Sequence, residues 1–176
     1  MSTKQKRVII KAFINSQFGY CPLVWINHSR KLNSRINRIH ERALRIVYND
    51  KNATFEELLS RDNSVKIHTR NLQVLVTEMF KVKRGISPLI MNDIFKIRNC
   101  NYVTRNFREF ESHCVKTVHY GQETVSFLGP KIWSILPEEY KILDNLHDFK
   151  EKVKSWNPQN CPCRLCKTYI HNLGFI

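Results

Sequence analysis

Long apolar runs are missing from this 176-residue chain. Nothing in it approaches the roughly 18 consecutive apolar residues of a membrane span, so no membrane partner is expected. The opening MSTKQKRVIIKAFINSQ has a basic start, but Lys11 cuts its apolar run too short for the core of a secretory signal. An intracellular location, nuclear or cytoplasmic, is therefore expected, and the sequons at Asn27 and Asn52 read as accidental. A reducing compartment makes the cysteines thiols or metal ligands rather than disulfides. Glycine and proline are scarce, at 5 and 6 residues, which argues against flexible or low-complexity linkers. No fixed-period repeat is present.

Catalytic patterns are missing too. A two-metal polymerase or nuclease needs carboxylates close enough to hold ions about 3.5–4 Å apart, and the chain has no Asp-Asp pair. Its adjacent acids, Glu56-Glu57 and Glu138-Glu139, stand where helices begin and complement the helix dipole. Phosphate-loop, zinc-protease and nucleophile-elbow spacings are absent. His113, Cys114 and His119 offer a thiol and imidazoles, but on an extended segment sequence neighbours point to opposite faces. No autonomous enzyme and no small-molecule substrate are expected.

Positive charge is what the chain has in excess. Twenty-nine Lys and Arg stand against 15 Asp and Glu, a net +14. The first fifty residues hold ten basic and two acidic side chains, whereas residues 101–150 hold six and seven. Such asymmetry fits an anionic partner, although a solubilising surface gives the same totals.

Periodicity makes the fold mainly α, a helical bundle with a small β element and an irregular tail. Residues 4–18 read as a helix. In GYCPLVWI, Pro22 breaks the pattern and Leu23, Val24, Trp25 and Ile26 are expected inside. Residues 29–50 form the clearest helix, with Ser29 as N-cap and Leu32, Ile36, Ile39, Ala43 and Val47 on one face. Thr54 and Glu57 form a capping box, and a long helix with Leu72, Leu75, Met79 and Val82 on one face stops at Gly85. YVTRNFREF, HCVKTVHY and ETVSFL, rich in Val, Thr and aromatics, suggest an antiparallel hairpin or meander. Two short helices follow in GPKIWSILPEEY and LHDFKEKVKSW. The expected division is 1–97 helical and basic, 98–156 β element plus helices, and 157–176 Cys-rich tail.

On the helix from Ser29, Lys31, Arg35, Arg38, Arg42 and Arg45 step by four and three, within about 40° of one line at 100° per residue. Like charges at i,i+4 repel, so the row gains most from an anion, and arginine suits bidentate phosphate binding. Glu41, the only acid in the helix body, is placed off the row. Nucleic-acid backbone is favoured over a merely solvated face, with a membrane-surface or calmodulin-type helix as third option. Near the end, Cys161, Cys163 and Cys166 form C-x-C-x2-C, followed by His171. Three thiolates and an imidazole are a normal zinc set, and Arg164 and Lys167 within it would favour thiolates and approach phosphate. Cys100, Cys114 or His147 are alternative fourth ligands, and inert or redox-active thiols remain alternative readings.

The stretch FINSQFGYCPLVWINHSRKLNSRINRIHERALRIVYND resembles the segment after the polymerase palm in non-LTR (LINE-type, jockey-like) retrotransposon reverse transcriptases. Tyr20, Pro22, Trp25, Leu32, Ile39, Arg42, Arg45 and Tyr48 carry the match. SFLGPKIWSILPEEYK, with Gly129, Pro130, Trp133, Leu136 and Pro137, is similar to the family's G-P-x-x-W-x-x-L-P motif, and CPCRLCKTYI looks like tails of some members. The resemblance implies a thumb-like portion that holds RNA, DNA or their hybrid while a palm, absent here with its catalytic aspartates, performs synthesis. A protein-interaction module docking through Trp133 and Tyr140 is the rival reading.

Overall fold

A computed structural model describes residues 1–98, 109–117, 121–158 and 161–167, without the side chains of Arg164 and Lys167. The protein is mainly helical, as expected. The chain divides into two compact units, Met1–Asn71 and Leu72–Ile176.

The first unit opens with α1 (Thr3–Ile10), passes through a π-helical turn (Lys11–Asn15) and ends its first rod with α2 (Ser16–Gly19). Ser2 and Gln5 cap the start reciprocally. Helix α3 (Arg30–Tyr48) starts where expected, with Ser29 Oγ accepting from Leu32 N–H at 3.3 Å. It stops at Asn49, whose left-handed φ of 51° ends the helix. The Thr54–Glu57 capping box opens α4 (Phe55–Asp62). Ile10 packs on Ala43 and Val47, while Leu44 meets Ala53, Leu58 and Leu59. The buried seam of α3 is thus Ile36, His40, Ala43, Leu44 and Val47, and Leu32 and Ile39 lie outside it. In GYCPLVWI only Ile26 is fully buried, and Val24 is 85% exposed. Trp25 instead turns its indole N–H to the Tyr20 carbonyl at 3.0 Å.

Arg7 ties α1 to the end of α4: its Nε lies 2.6 Å from Oδ1 of the buried Asp62, which also accepts from Tyr48 Oη at 3.1 Å. His40 is buried edge-on to Phe55, with ring centroids 5.6 Å apart. Burial first, then the positive charge of Arg70, lowers its pKa, against a smaller upward pull from Asp62.

Helix α5 (Ile67–Lys83) runs through the division, and Gly85, at φ 68°, follows its end as expected. The second unit continues with α6 (Leu89–Ile94), α7 (Val125–Ser134), α8 (Glu138–Lys141), α9 (Leu146–Ser155) and α10 (Arg164–Lys167). The expected strand over ETVSFL is corrected. ETVSFL runs into α7, because Leu128 and Ile132 recur at helical spacing and are buried on one face. Among the described residues pairing is limited to one antiparallel bridge, Ile97 to Phe110. Residues 102–108 and 118–120 of the other two segments lie outside the description.

The G-P-x-x-W segment is core. A Cβ on Gly129 would stand 2.5 Å from Phe95 Cε1 and 3.1 Å from Met79 Sδ, so glycine allows α7 to close on both. Trp133 is buried, edge-on to Phe110 at 5.3 Å, and its indole N–H donates to Glu109 Oε2 at 2.7 Å. Trp133→Ala should cost about 3–5 kcal/mol as a cavity, read as a lowered midpoint in denaturant unfolding.

His40 gives a pH dependence with a defined sign. Its folded pKa lies below the unfolded value near 6.5, so the unfolded chain binds the proton more readily. Stability should hold above about pH 6.5 and decline as pH falls below it, and His40→Gln should flatten that decline in thermal melts.

Candidate functional site

Two groups of residues could carry function. The first is the outer face of α3. Lys31, Arg35, Arg38 and Arg42 are exposed, and none of them makes an ion pair or hydrogen bond among the described residues. Arg45 differs from the expectation. Its Nη2 meets Glu41 Oε1 at 2.7 Å and the Ala53 carbonyl at 3.4 Å, so it is half-buried and engaged within the fold. Glu41 therefore belongs to the edge of the basic row, four residues before Arg45, where a helix brings side chains together. Arg164 and Lys167 fall on α10, with side chains outside the description.

The second group is the cysteine cluster. Pro162 separates Cys161 from Cys163, and α10 carries Cys166, whose N–H donates to the Cys163 carbonyl at 3.2 Å. Cys161 and Cys163 are buried and Cys166 is half-buried. None of the described cysteines is in a disulfide. The three sulfurs all lie within 4.8 Å of one another. This is the one such group of potential ligands among the described residues.

At bond lengths near 2.3 Å, a tetrahedral ion has sulfur–sulfur edges of about 3.8 Å, so sulfurs within 4.8 Å of one another could close on a metal. Hydrogen bonding to Cys163, then to Cys166, then burial push the Cys161 thiol far above its ordinary pKa. Sulfurs this close cannot all ionise without a cation among them, and a bound divalent ion reverses that penalty. The donor set therefore fits a metal.

His171 lies outside the described residues. Of the other ligands considered, Cys114 and His147 are exposed and outside the cluster, and Cys100 is not described. His113 is also exposed, and His119 is not described. The adjacent acids serve the fold: Glu56 pairs with Lys66 at 2.9 Å, Glu57 caps α4 and Glu138 pairs with Lys141 at 2.6 Å. No helix among the described residues is long and apolar enough to cross a membrane. No protein-family model, curated protein or solved structure matches the chain.

The cluster makes a direct test available. Cobalt(II) added to the reduced protein should give the intense visible bands of tetrahedral thiolate coordination and release protons as the thiols ionise. Cys163→Ser should weaken those bands or shift them, and bands unaltered by that change would take Cys163 out of the ligand set.

Proposed function

We propose that this chain is a non-catalytic nucleic-acid-binding module, the post-palm portion of a retrotransposon-type reverse transcriptase, which holds nucleic acid along α3. The observation that carries the reading is the row of four exposed cations, Lys31, Arg35, Arg38 and Arg42, none of which is in an ion pair among the described residues. Their eleven-residue span is about 16 Å of helix, enough to follow several successive phosphates. Repulsion within the row is relieved when anions bind, and the released counterions add to the affinity. The two sequence motifs of the resemblance support the family context. The rival docking face loses its anchor, because Trp133 is 3% exposed.

Zinc is the ion proposed for the Cys161, Cys163 and Cys166 cluster, with a histidine imidazole as the fourth ligand. Three thiolates and one imidazole complete a tetrahedron with no open position, which is the form of a structural site. When bound, zinc would supply folding energy, while Cys161 and Cys163 would shield it from water by their burial.

One set of measurements tests both parts. Changing Arg35, Arg38 and Arg42 together to Gln should weaken binding to any sequence equally. It should also lower the slope of log K against log salt by about 0.9 for each duplex phosphate that the protein no longer neutralises. Changing Cys163 and Cys166 to Ser should reduce zinc from about one per chain to none while the slope stays put. Unaltered affinity and slope in the folded arginine variant would remove the nucleic-acid reading.

A further inference from the structure

We infer that the outer face of α3 is built for a single strand of nucleic acid rather than for a duplex. The inference rests on the nucleic-acid reading above and names the class of partner for that same face.

Beside the cations runs a second row that the fold leaves uncovered. Leu32, Ile39 and Ile46 recur at every seventh residue and are 45%, 46% and 61% exposed. At 100° per residue they stay within about 40° of each other, between the buried seam and the cations, about 70° from the centre of the basic row. Successive members are about 10.5 Å apart along the axis. Single exposed aliphatics are ordinary on a protein surface. Here, however, the same helix already buries Ile36, Ala43, Leu44 and Val47 in its core, and the extra three form a line parallel to the charges. Lys6 donates to the Ile46 carbonyl at 3.3 Å, which brings another cation to the far end of the apolar row.

The face therefore has two chemistries side by side. A duplex turns phosphates and sugars outward and keeps its base faces stacked inside, so it would satisfy the cations and leave the aliphatic row against water or phosphate. A single strand has two edges, one of phosphates and one of unstacked bases whose faces are apolar. Laid along α3, its phosphates meet Lys31, Arg35, Arg38 and Arg42 while its bases cover Leu32, Ile39 and Ile46. Such packing tolerates any sequence, since every base has an apolar face. Tyr48, the one aromatic side chain of α3, is turned to Asp62, so the bases here meet aliphatic side chains.

The test uses the full chain, a fluorescent 15-nucleotide oligo(dT) and a duplex of 15 base pairs, each titrated at several salt concentrations. The single strand should bind more tightly than the duplex at matched salt. Ile39→Gln and Ile46→Gln, both compatible with a helix, should each weaken oligo(dT) binding about fivefold without altering its salt slope. They should leave duplex binding unaltered. Circular dichroism keeps the result interpretable, and Ile46→Gln, at the more exposed position, serves if Ile39→Gln disturbs folding. Equal losses on both probes, or no loss on either, overturn the inference while the nucleic-acid reading stands. If the triple arginine variant leaves both probes unaffected, that reading itself has failed. An acidic amphipathic peptide that binds this face when neither nucleic acid does would overturn both and make it a protein-docking surface.

Discussion

Covering helix α5 is the constraint on which the second unit depends. Leu72, Leu75, Val76, Met79, Phe80 and Val82 are all buried, and on a helical wheel they span about 160° of the circumference. Phe149 of α9 stacks on Phe80 with centroids 4.1 Å apart, and α7 brings Gly129 up to Met79. Polar latches then fix direction. Gln73 donates to the Lys154 and Trp156 carbonyls, Lys83 to the Lys141 carbonyl, and Arg84 to those of Ile142 and Leu143. Each fully buried side chain contributes about 1.5–3 kcal/mol, against a net of roughly 0.5–1.5 for a hydrogen bond. Apolar burial therefore holds the unit together, and the latches choose among the ways of packing it.

Electrostatics separates the interior of the protein from its outward face. Asp50, Glu56, Asp62, Glu78, Glu109, Glu138, Asp144 and Glu151 are each bound to a lysine or arginine. Glu57 is held in a cap, and Glu41 engages Arg45. Acids engaged in the fold cannot neutralise the exposed row on α3, so the surplus of base in the composition becomes a local field there. Exposed pairs of this kind contribute at most about 1 kcal/mol each. Their larger effect is on where positive charge is left over.

What could be read from sequence was what is decided locally. The caps at Ser29 and Thr54 and the stop at Gly85 depend on groups within a few residues, and all three appear as expected. The buried face of α3 was only half legible. A wheel gives the width of an apolar stripe, but neighbours choose which edge is covered, and Leu58 and Leu59 of α4 lie against Leu44. ETVSFL has the composition of a strand, and burial of Leu128, Ile132 and Trp133 overrides that preference. Three metal-ligating candidates were visible as C-x-C-x2-C.

Helix α7 is disfavoured by its own composition. It carries Gly129 and Pro130 in mid-span, residues that cost about 1 and 3 kcal/mol in a helix interior relative to alanine. As an isolated peptide such a segment would be helical for almost none of the time. Its order is borrowed from the surface it meets, the Phe95 ring and the Met79 sulfur that leave no room for a Cβ at Gly129. Helices α3 and α5 are long and free of glycine and proline, whereas the shape of α7 depends on what it is packed against. A change that emptied the space beside Gly129 or removed the Trp133 ring would therefore loosen the helix itself as well as its contacts.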